Sequence, residues 1–197
     1  IKKLITDSLI EFLQLSCITE LKTEMNTKLV FPIKRDGKRR ISEQEIRFLF
    51  VQHVQKDNFF HYSVEVPTKK RYKFLGLNDR SASFDVCLYE NGNRKHLLEF
   101  KALNPKQNSY SKDFEKLFFD ESDLTNYFIQ VIETTNIGTI PNIEKKYREA
   151  IKHVKNKYNI IRPCLKIFLC DMDKKNIIEY KIDKDGNLIK IQNIIVE

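Results

Sequence analysis

The run Ser83-Phe84-Asp85-Val86-Cys87-Leu88-Tyr89, the turn Glu90-Asn91-Gly92-Asn93 and the run His96-Leu97-Leu98-Glu99-Phe100-Lys101-Ala102 decide how this chain is read. Asn-Gly between two apolar runs is a strong hairpin signal, so the runs are predicted to pair side by side. Residues two apart on a strand share a face, which puts Glu99 and Lys101 together. Alternation places Phe84, Val86 and Leu88 on one face with Leu98 and Phe100. Ser83, Asp85, Cys87, Leu97, Glu99 and Lys101 fall on the other. Two carboxylates and an ammonium among apolar neighbours are costly unless paired or bound to something. Paired carboxylates are hard oxygen ligands that suit magnesium. A lysine beside them can hold a water or stabilise developing charge.

The flanking segments read as alternating helices and strands. Residues 3–25 are amphipathic, with Leu4, Ile5, Leu9, Phe12 and Leu13 among charges, and predict one or two helices. Residues 31–40 form a basic loop containing Lys34, Arg35, Lys38, Arg39 and Arg40. Ser42 followed by Glu45 matches a capping box, and Ile46, Leu49 and Phe50 continue the helix it opens. Phe60 to Pro67 alternates as a strand, and Thr68 to Lys73 is basic around Tyr72. After the hairpin, Asn104-Pro105 stops the strand. Ser109 to Phe119 is predicted helical, Tyr127 to Glu133 a strand, and Pro141 to about Tyr158 a helix. Cys164–Cys170, Ile177–Ile182 and Leu188–Val196 read as strands. The expected class is therefore mixed α/β, one domain over residues 1–197. Its core spans about 41–135, with a helical extension over 1–30 and a C-terminal helix and strands over 141–197.

A hydrophobic fraction of 41% fits a globular chain rather than a disordered one. A net charge of +8 favours a polyanionic partner. Cys17, Cys87, Cys164 and Cys170 form no Cys-x-x-Cys pair. Cys87, Cys164 and Cys170 lie in apolar runs, which predicts core thiols in a reducing, cytoplasmic setting. His53, His61, His96 and His153 lack zinc-ligand spacing with them. No apolar run is long enough to span a bilayer, and no signal peptide is visible.

Asp85 with Glu99-Phe100-Lys101, in a hairpin that follows a helix and a strand and precedes a helix and a strand, resembles the PD-(D/E)XK nuclease superfamily. The resemblance covers roughly Ile41 to Thr135. It implies a restriction-endonuclease-like core of helix, three strands, helix and strand, and magnesium-dependent cleavage of nucleic acid, with manganese able to substitute. By motif match Asp85 is the first acidic ligand, Glu99 the second and Lys101 the catalytic lysine. Members also draw a glutamate from the helix before the first core strand; Glu45 matches best, with Glu43 second. A Lys-Asp pair at the start of the next helix fits Lys112-Asp113, so Lys112 is expected to reach a phosphate. No proline precedes Asp85, a departure at a position that varies. The reading implied is a DNA endonuclease of a restriction or defence type, and a homodimer where both strands are cut.

Other readings compete. Glu-x-Lys recurs at Glu20-Lys22, Glu144-Lys146 and Glu179-Lys181. The last has Asp171 and Asp173 upstream, but only a turn and a strand-like run follow it. The trio at Asp85 could instead be an exposed stripe of salt bridges, which contribute little. The basic segment over 34–40 and the residues Lys69, Lys70 and Arg71 are expected to contact phosphate if the sheet carries an active site. His96 has the wrong parity for the site. Tyr72 and Tyr110 are candidates for stacking on a base, or core tyrosines. Asp113, Glu115, Asp120, Glu121 and Asp123 are expected to face away from nucleic acid. The alternatives in function are a non-catalytic nucleic-acid-binding subunit on the same fold, or a protein-interaction domain.

Overall fold

A computed structural model describes residues 1–16, 29–37, 39–73, 81–120, 124–133, 136–159 and 164–196. Cys17, Lys38, Glu121 and Asp123 lie outside them, as does the part of the N-terminal prediction beyond residue 16. The elements are α1 (Lys2–Ser16), α2 (Glu43–Asp57), β1 (His61–Pro67), β2 (Ser83–Glu90), β3 (Asn93–Ala102), α3 (Gln107–Phe119), β4 (Asn126–Ile132), α4 (Thr139–Tyr158), β5 (Leu165–Asp171), β6 (Asn176–Ile182) and β7 (Leu188–Ile195). The class is mixed α/β, as the alternating pattern predicted, and residues 43–132 run helix, three strands, helix, strand.

All seven strands form one sheet in chain order. β1, β2 and β3 pair antiparallel, β3, β4 and β5 parallel, and β5, β6 and β7 antiparallel. Short turns join β2 to β3, β5 to β6 and β6 to β7, β1 reaches β2 through the longer segment 68–82, and each parallel pair needs a crossover, which α3 and α4 supply. The β2–β3 turn has Asn91 at φ 50° and Gly92 at φ 77°. Positive φ at both central residues suits the twist of a hairpin, which is why Asn-Gly marks it. A Cβ at Gly92 would meet nothing within 4 Å, so backbone conformation and not space requires glycine there.

Helices cover both faces of the sheet. α1 and α2 pack on Val86, Leu88, Leu98, Phe100, Tyr127 and Ile129. α3 and α4 pack on Cys87, Leu97, Phe128, Ile167 and Leu169. β4 lies at the centre and all seven of its residues are buried, so it reads as an apolar run rather than an alternation. Each large apolar side chain buried this way contributes about 1.5–3 kcal/mol. Phe84 departs from the expected parity: it joins the α3–α4 side, opposite Val86 and Leu88. The break falls at Asp85, where the β2–β3 ladder also ends, its last pair being Val86 with Leu98. Cys87 and Cys170 are buried and Cys164 half-buried, and none of the three is in a disulfide. No helix among the described residues is long and apolar enough to cross a membrane.

Among the described residues the core holds two buried side-chain amides, Asn126 and Gln130, and Gln130 links the most elements. Gln130 Oε1 accepts from Tyr147 Oη at 2.6 Å, and its Nε2 donates to Tyr110 Oη at 2.7 Å and to the Leu103 carbonyl. These bonds tie β4 to α3, α4 and the end of β3. Both tyrosines are fully buried, so Tyr110 is a core residue, not a stacking platform. Gln130→Leu keeps the volume but orphans the Tyr147 hydroxyl and the Leu103 carbonyl. It is expected to destabilise the protein by about 1–3 kcal/mol in urea denaturation, without changing the slope of the transition.

Candidate active site

The hairpin brings its charged residues to the place where β2 and β3 part. With the ladder ended, the Phe100 amide has no strand partner and donates instead to Asp85 Oδ2 at 2.7 Å. One carboxylate oxygen thus replaces a backbone acceptor and holds the two strands at a fixed opening. Glu99, on the side of β3 that faces α3, is 3% exposed. It accepts a hydrogen bond from Lys116 of α3. Lys116 Nζ also reaches the Ser83 carbonyl at 2.8 Å and Asp113 Oδ1 at 3.3 Å. Lys101 pairs with Asp113 Oδ2 at 3.0 Å and lies 4.0 Å from Glu43 of α2. Arg47, one turn further along α2, stands 3.6 Å from Asp85 and pairs with Glu65.

Four carboxylates, Glu43, Asp85, Glu99 and Asp113, therefore share a half-buried volume with three cations, Arg47, Lys101 and Lys116. Burial pushes Glu99 well above the usual carboxylate range, Asp113 and Asp85 push it further, and Lys116 opposes them. Burial likewise raises Asp85, against the Phe100 amide and the nearby cations. Glu43 is raised by burial and by Asp85 and Asp113, despite Lys101. Burial alone would lower Lys101, but Asp113, Glu43 and Glu99 outweigh it and leave the ammonium firmly protonated. Lys116 follows the same balance, with Glu99 as its main support.

The sequence-predicted trio is thus brought together, and one expectation is corrected. Glu45 is not the α2 glutamate at the site. Its carboxylate turns back onto Ser42, accepting from the Ser42 amide at 3.0 Å and from its hydroxyl, which completes the capping box. Glu43, two residues earlier, is the residue that faces Lys101. Asp113, Glu115 and Asp120, expected on a face turned away from nucleic acid, are all buried. Helix α3 packs on the sheet beside the hairpin, so a charge next to its apolar stripe of Tyr110, Phe114 and Leu117 ends up against β2 and β3. That stripe was the available signal for Asp113 and Lys116, since residues three and four apart share a helix face.

The remaining expected residues lie elsewhere. Lys112 is exposed on α3. Arg39 forms an isolated bridge with Ile33, and Arg40 is exposed. The amides of Lys69 and Lys70 donate to Asp120, and Arg71 is exposed. Tyr72 is buried with its hydroxyl on Asp120, a core residue like Tyr110. His96 sits among Phe60 and Tyr127 on the α1–α2 side, away from Glu99, as its parity predicted. The rival motif is dispersed: Glu179 pairs with Lys2 of α1 at 2.6 Å, Asp171 caps the β5–β6 turn through the amides of Asp173 and Lys174, and Lys181 is exposed.

Among the described residues, no three His, Cys, Asp or Glu side chains are close enough to cage an ion alone. Asp85 and Glu99 are nevertheless the hard donors that magnesium takes in ones and twos, completing its shell with water and phosphate oxygens. One oxygen of each is already bonded, to the Phe100 amide and to Lys116. The other Asp85 oxygen lies 3.6 Å from Arg47; by the chemistry of their donors, Asp85 and Glu99 are the residues that would hold such a cation.

No family model matches the chain, and no curated protein is similar to it. Among solved structures it is similar to the central domain of yeast acetyl-CoA carboxylase, at 7% identity and a TM-score of 0.36 over 94% of this chain. The chain spans 34% of that structure's length, about a third, and a likeness at this level assigns neither fold family nor activity.

Lys116→Met leaves Glu99 buried without its partner. It is expected to cost about 3–5 kcal/mol at neutral pH, measured by chemical denaturation. Because the folded Glu99 holds its proton more tightly than the unfolded chain does, its ionisation weakens the fold as pH rises. The penalty of the substitution should therefore shrink in mildly acidic buffer.

Proposed function

We propose that this chain is a magnesium-dependent nuclease that hydrolyses phosphodiester bonds, acting on DNA as an endonuclease. The observation that supports this best is the convergence of Asp85, Glu99 and Lys101 where β2 and β3 separate, with Glu43 entering from α2. Bound magnesium, or manganese in its place, would supply a Lewis acid for the phosphoryl oxygens and a more acidic water. Asp85 and Glu99 would hold it, and their fixed bonds to the Phe100 amide and Lys116 orient them in advance. Lys101 is firmly protonated, so it acts as a charge that stabilises the phosphorane oxygens and not as a base. Asp113 positions that ammonium. A role in restriction or defence, and a dimer that cuts both strands, follow from the superfamily analogy alone.

A second reading is favoured by one specific observation. Lys116 on Glu99 and Asp113 on Lys101 satisfy the motif internally, as a structural ion network on a non-catalytic nucleic-acid-binding subunit would. Incubation with supercoiled plasmid separates the two. The nuclease reading expects nicking that needs magnesium or manganese and falls at least about 100-fold in Glu99→Ala and Lys101→Ala. Salt-sensitive binding without cutting, unchanged by both substitutions, would establish the second reading instead. Glu43→Gln should weaken cutting, while Glu45→Gln should leave it unchanged and cost about 1 kcal/mol through the lost cap. Cutting should rise with pH, since Glu43, Asp85 and Glu99 have raised pKa values and must lose protons to hold a cation.

A further inference from the structure

Helix α3 and its C-cap residue carry a second set of buried acids, Glu115 and Asp120, on a separate side from the cluster, and these acids hold basic residues in place. Asp120 is 4% exposed and accepts from the Lys69 amide at 3.0 Å, the Lys70 amide at 2.8 Å and the Tyr72 hydroxyl at 3.0 Å. It therefore clamps the basic segment over 69–73 against the end of α3. Lys70 follows, its ammonium on the Phe119 carbonyl and 3.8 Å over the Phe119 ring, which stacks on Tyr158. Glu115 is 1% exposed and accepts from Lys157 at 2.7 Å and from the Tyr158 hydroxyl, with His153 at 3.7 Å. The Lys157 ammonium also donates to the Lys73 carbonyl at 3.0 Å, joining the segment to α4.

Between these elements lies a cleft of about 280 Å³. α3 lines it with Asn108, Ser111 and Lys112, one face at helical spacing, around Glu115. α4 adds His153 and Lys157, also one turn apart, and Lys73 closes the third side. Three lysines surround one carboxylate that is itself engaged by Lys157 and Tyr158, so the cleft is net positive. Burying Glu115 and Asp120 is costly unless each is fully bonded. Their bonds fix the basic segment and Lys157 before any ligand arrives, which lowers the ordering cost of binding an anion.

We infer that this cleft binds the phosphodiester backbone of a nucleic-acid strand. Ser111 and Asn108 offer neutral donors beside the lysine charges, a mixture common at phosphate contacts. The clamped row from Lys69 through Arg71 to Lys73 extends the charge beyond the cleft, further than a single small anion needs. The inference rests on the nucleic-acid reading above, and it assigns the substrate path to the outer side of α3.

Fluorescence anisotropy of a labelled oligonucleotide tests it, with the full chain in EDTA so that nothing is cut. Lys73→Ala with Lys112→Ala should lower the slope of log affinity against log salt by roughly two and weaken binding about tenfold or more at moderate salt. Ser111→Glu, which adds a negative charge and removes no lysine, should weaken binding comparably. Lys174→Ala with Lys184→Ala, which removes the same charge from exposed turns, should change affinity less than about twofold. Retained binding and slope in the Lys73, Lys112 pair and in Ser111→Glu, with native melting, overturn the cleft and leave the nuclease reading standing. Pyrophosphate binding that the cleft variants abolish, with strand binding unaffected, would make it a small-anion site and overturn the assignment. Absence of strand binding by the unaltered chain overturns the cleft and the nucleic-acid reading together; magnesium-dependent cutting, measured separately, identifies failure of the cleft alone.

Discussion

The ammonium of Lys116 is the interaction on which the centre of this molecule depends. It draws the Ser83 carbonyl of β2, Glu99 of β3 and Asp113 of α3 to one point. Without a cation there, β2 and β3 could not part beside a helix that carries its own acid, because the two carboxylates would repel in a poorly hydrated space. With it, α3 is anchored to the sheet at the position where the hairpin opens. Lys101 takes the other oxygen of Asp113, so the two lysines bracket that carboxylate and set each other's places. The site and the packing of α3 are in this sense one structure.

Much of the fold was legible because its signals are local. Asn91-Gly92 dictates a hairpin through backbone conformation alone, and Ser42 with Glu45 announces the start of α2 through a reciprocal bond pair. Apolar runs gave β4 and β5, since strands buried on both faces need no alternation. What local signals could not carry was which charged residue turns inward. Glu43 and Glu45 are two residues apart at a helix start, and only the tertiary placement of Lys101 distinguishes them. Asp113, Glu115 and Asp120 look like a solvated helix face in sequence, yet each has at least one cationic or donor partner on another element, 12 residues away in chain order for Lys101 and 42 for Lys157. Parity at Phe84 failed for a related reason: strand alternation assumes a continued ladder, and the ladder stops at Asp85.

Helix α3 organises charge in two ways. Toward the sheet, Asp113 and Lys116 complete an ion cluster with residues of α2, β2 and β3. Toward α4 and the 69–73 segment, Glu115 and Asp120 hold lysines and lysine-bearing backbone. A net charge of +8 could have been diffuse surface charge. Part of it is instead bound in place by buried acids, so the basic character of this face is a fixed structural property.

The balance within the cluster sets burial and like charge against pairing. Salt-bridged acids in a network built for stability have lowered pKa values, because the cations outweigh the cost of burial. Here Glu43, Asp85 and Glu99 are all raised, each with burial first among the causes and other acids adding to it. Three cations do not offset four acids, and the fold retains the deficit at one small place. Such local conflict with an otherwise consistent structure is characteristic of functional sites. A divalent cation between Asp85 and Glu99 would remove the deficit, adding positive charge where two hard carboxylates are already oriented. On the nuclease reading proposed above, the electrostatics that make the cluster costly are the same ones that would favour a divalent metal there.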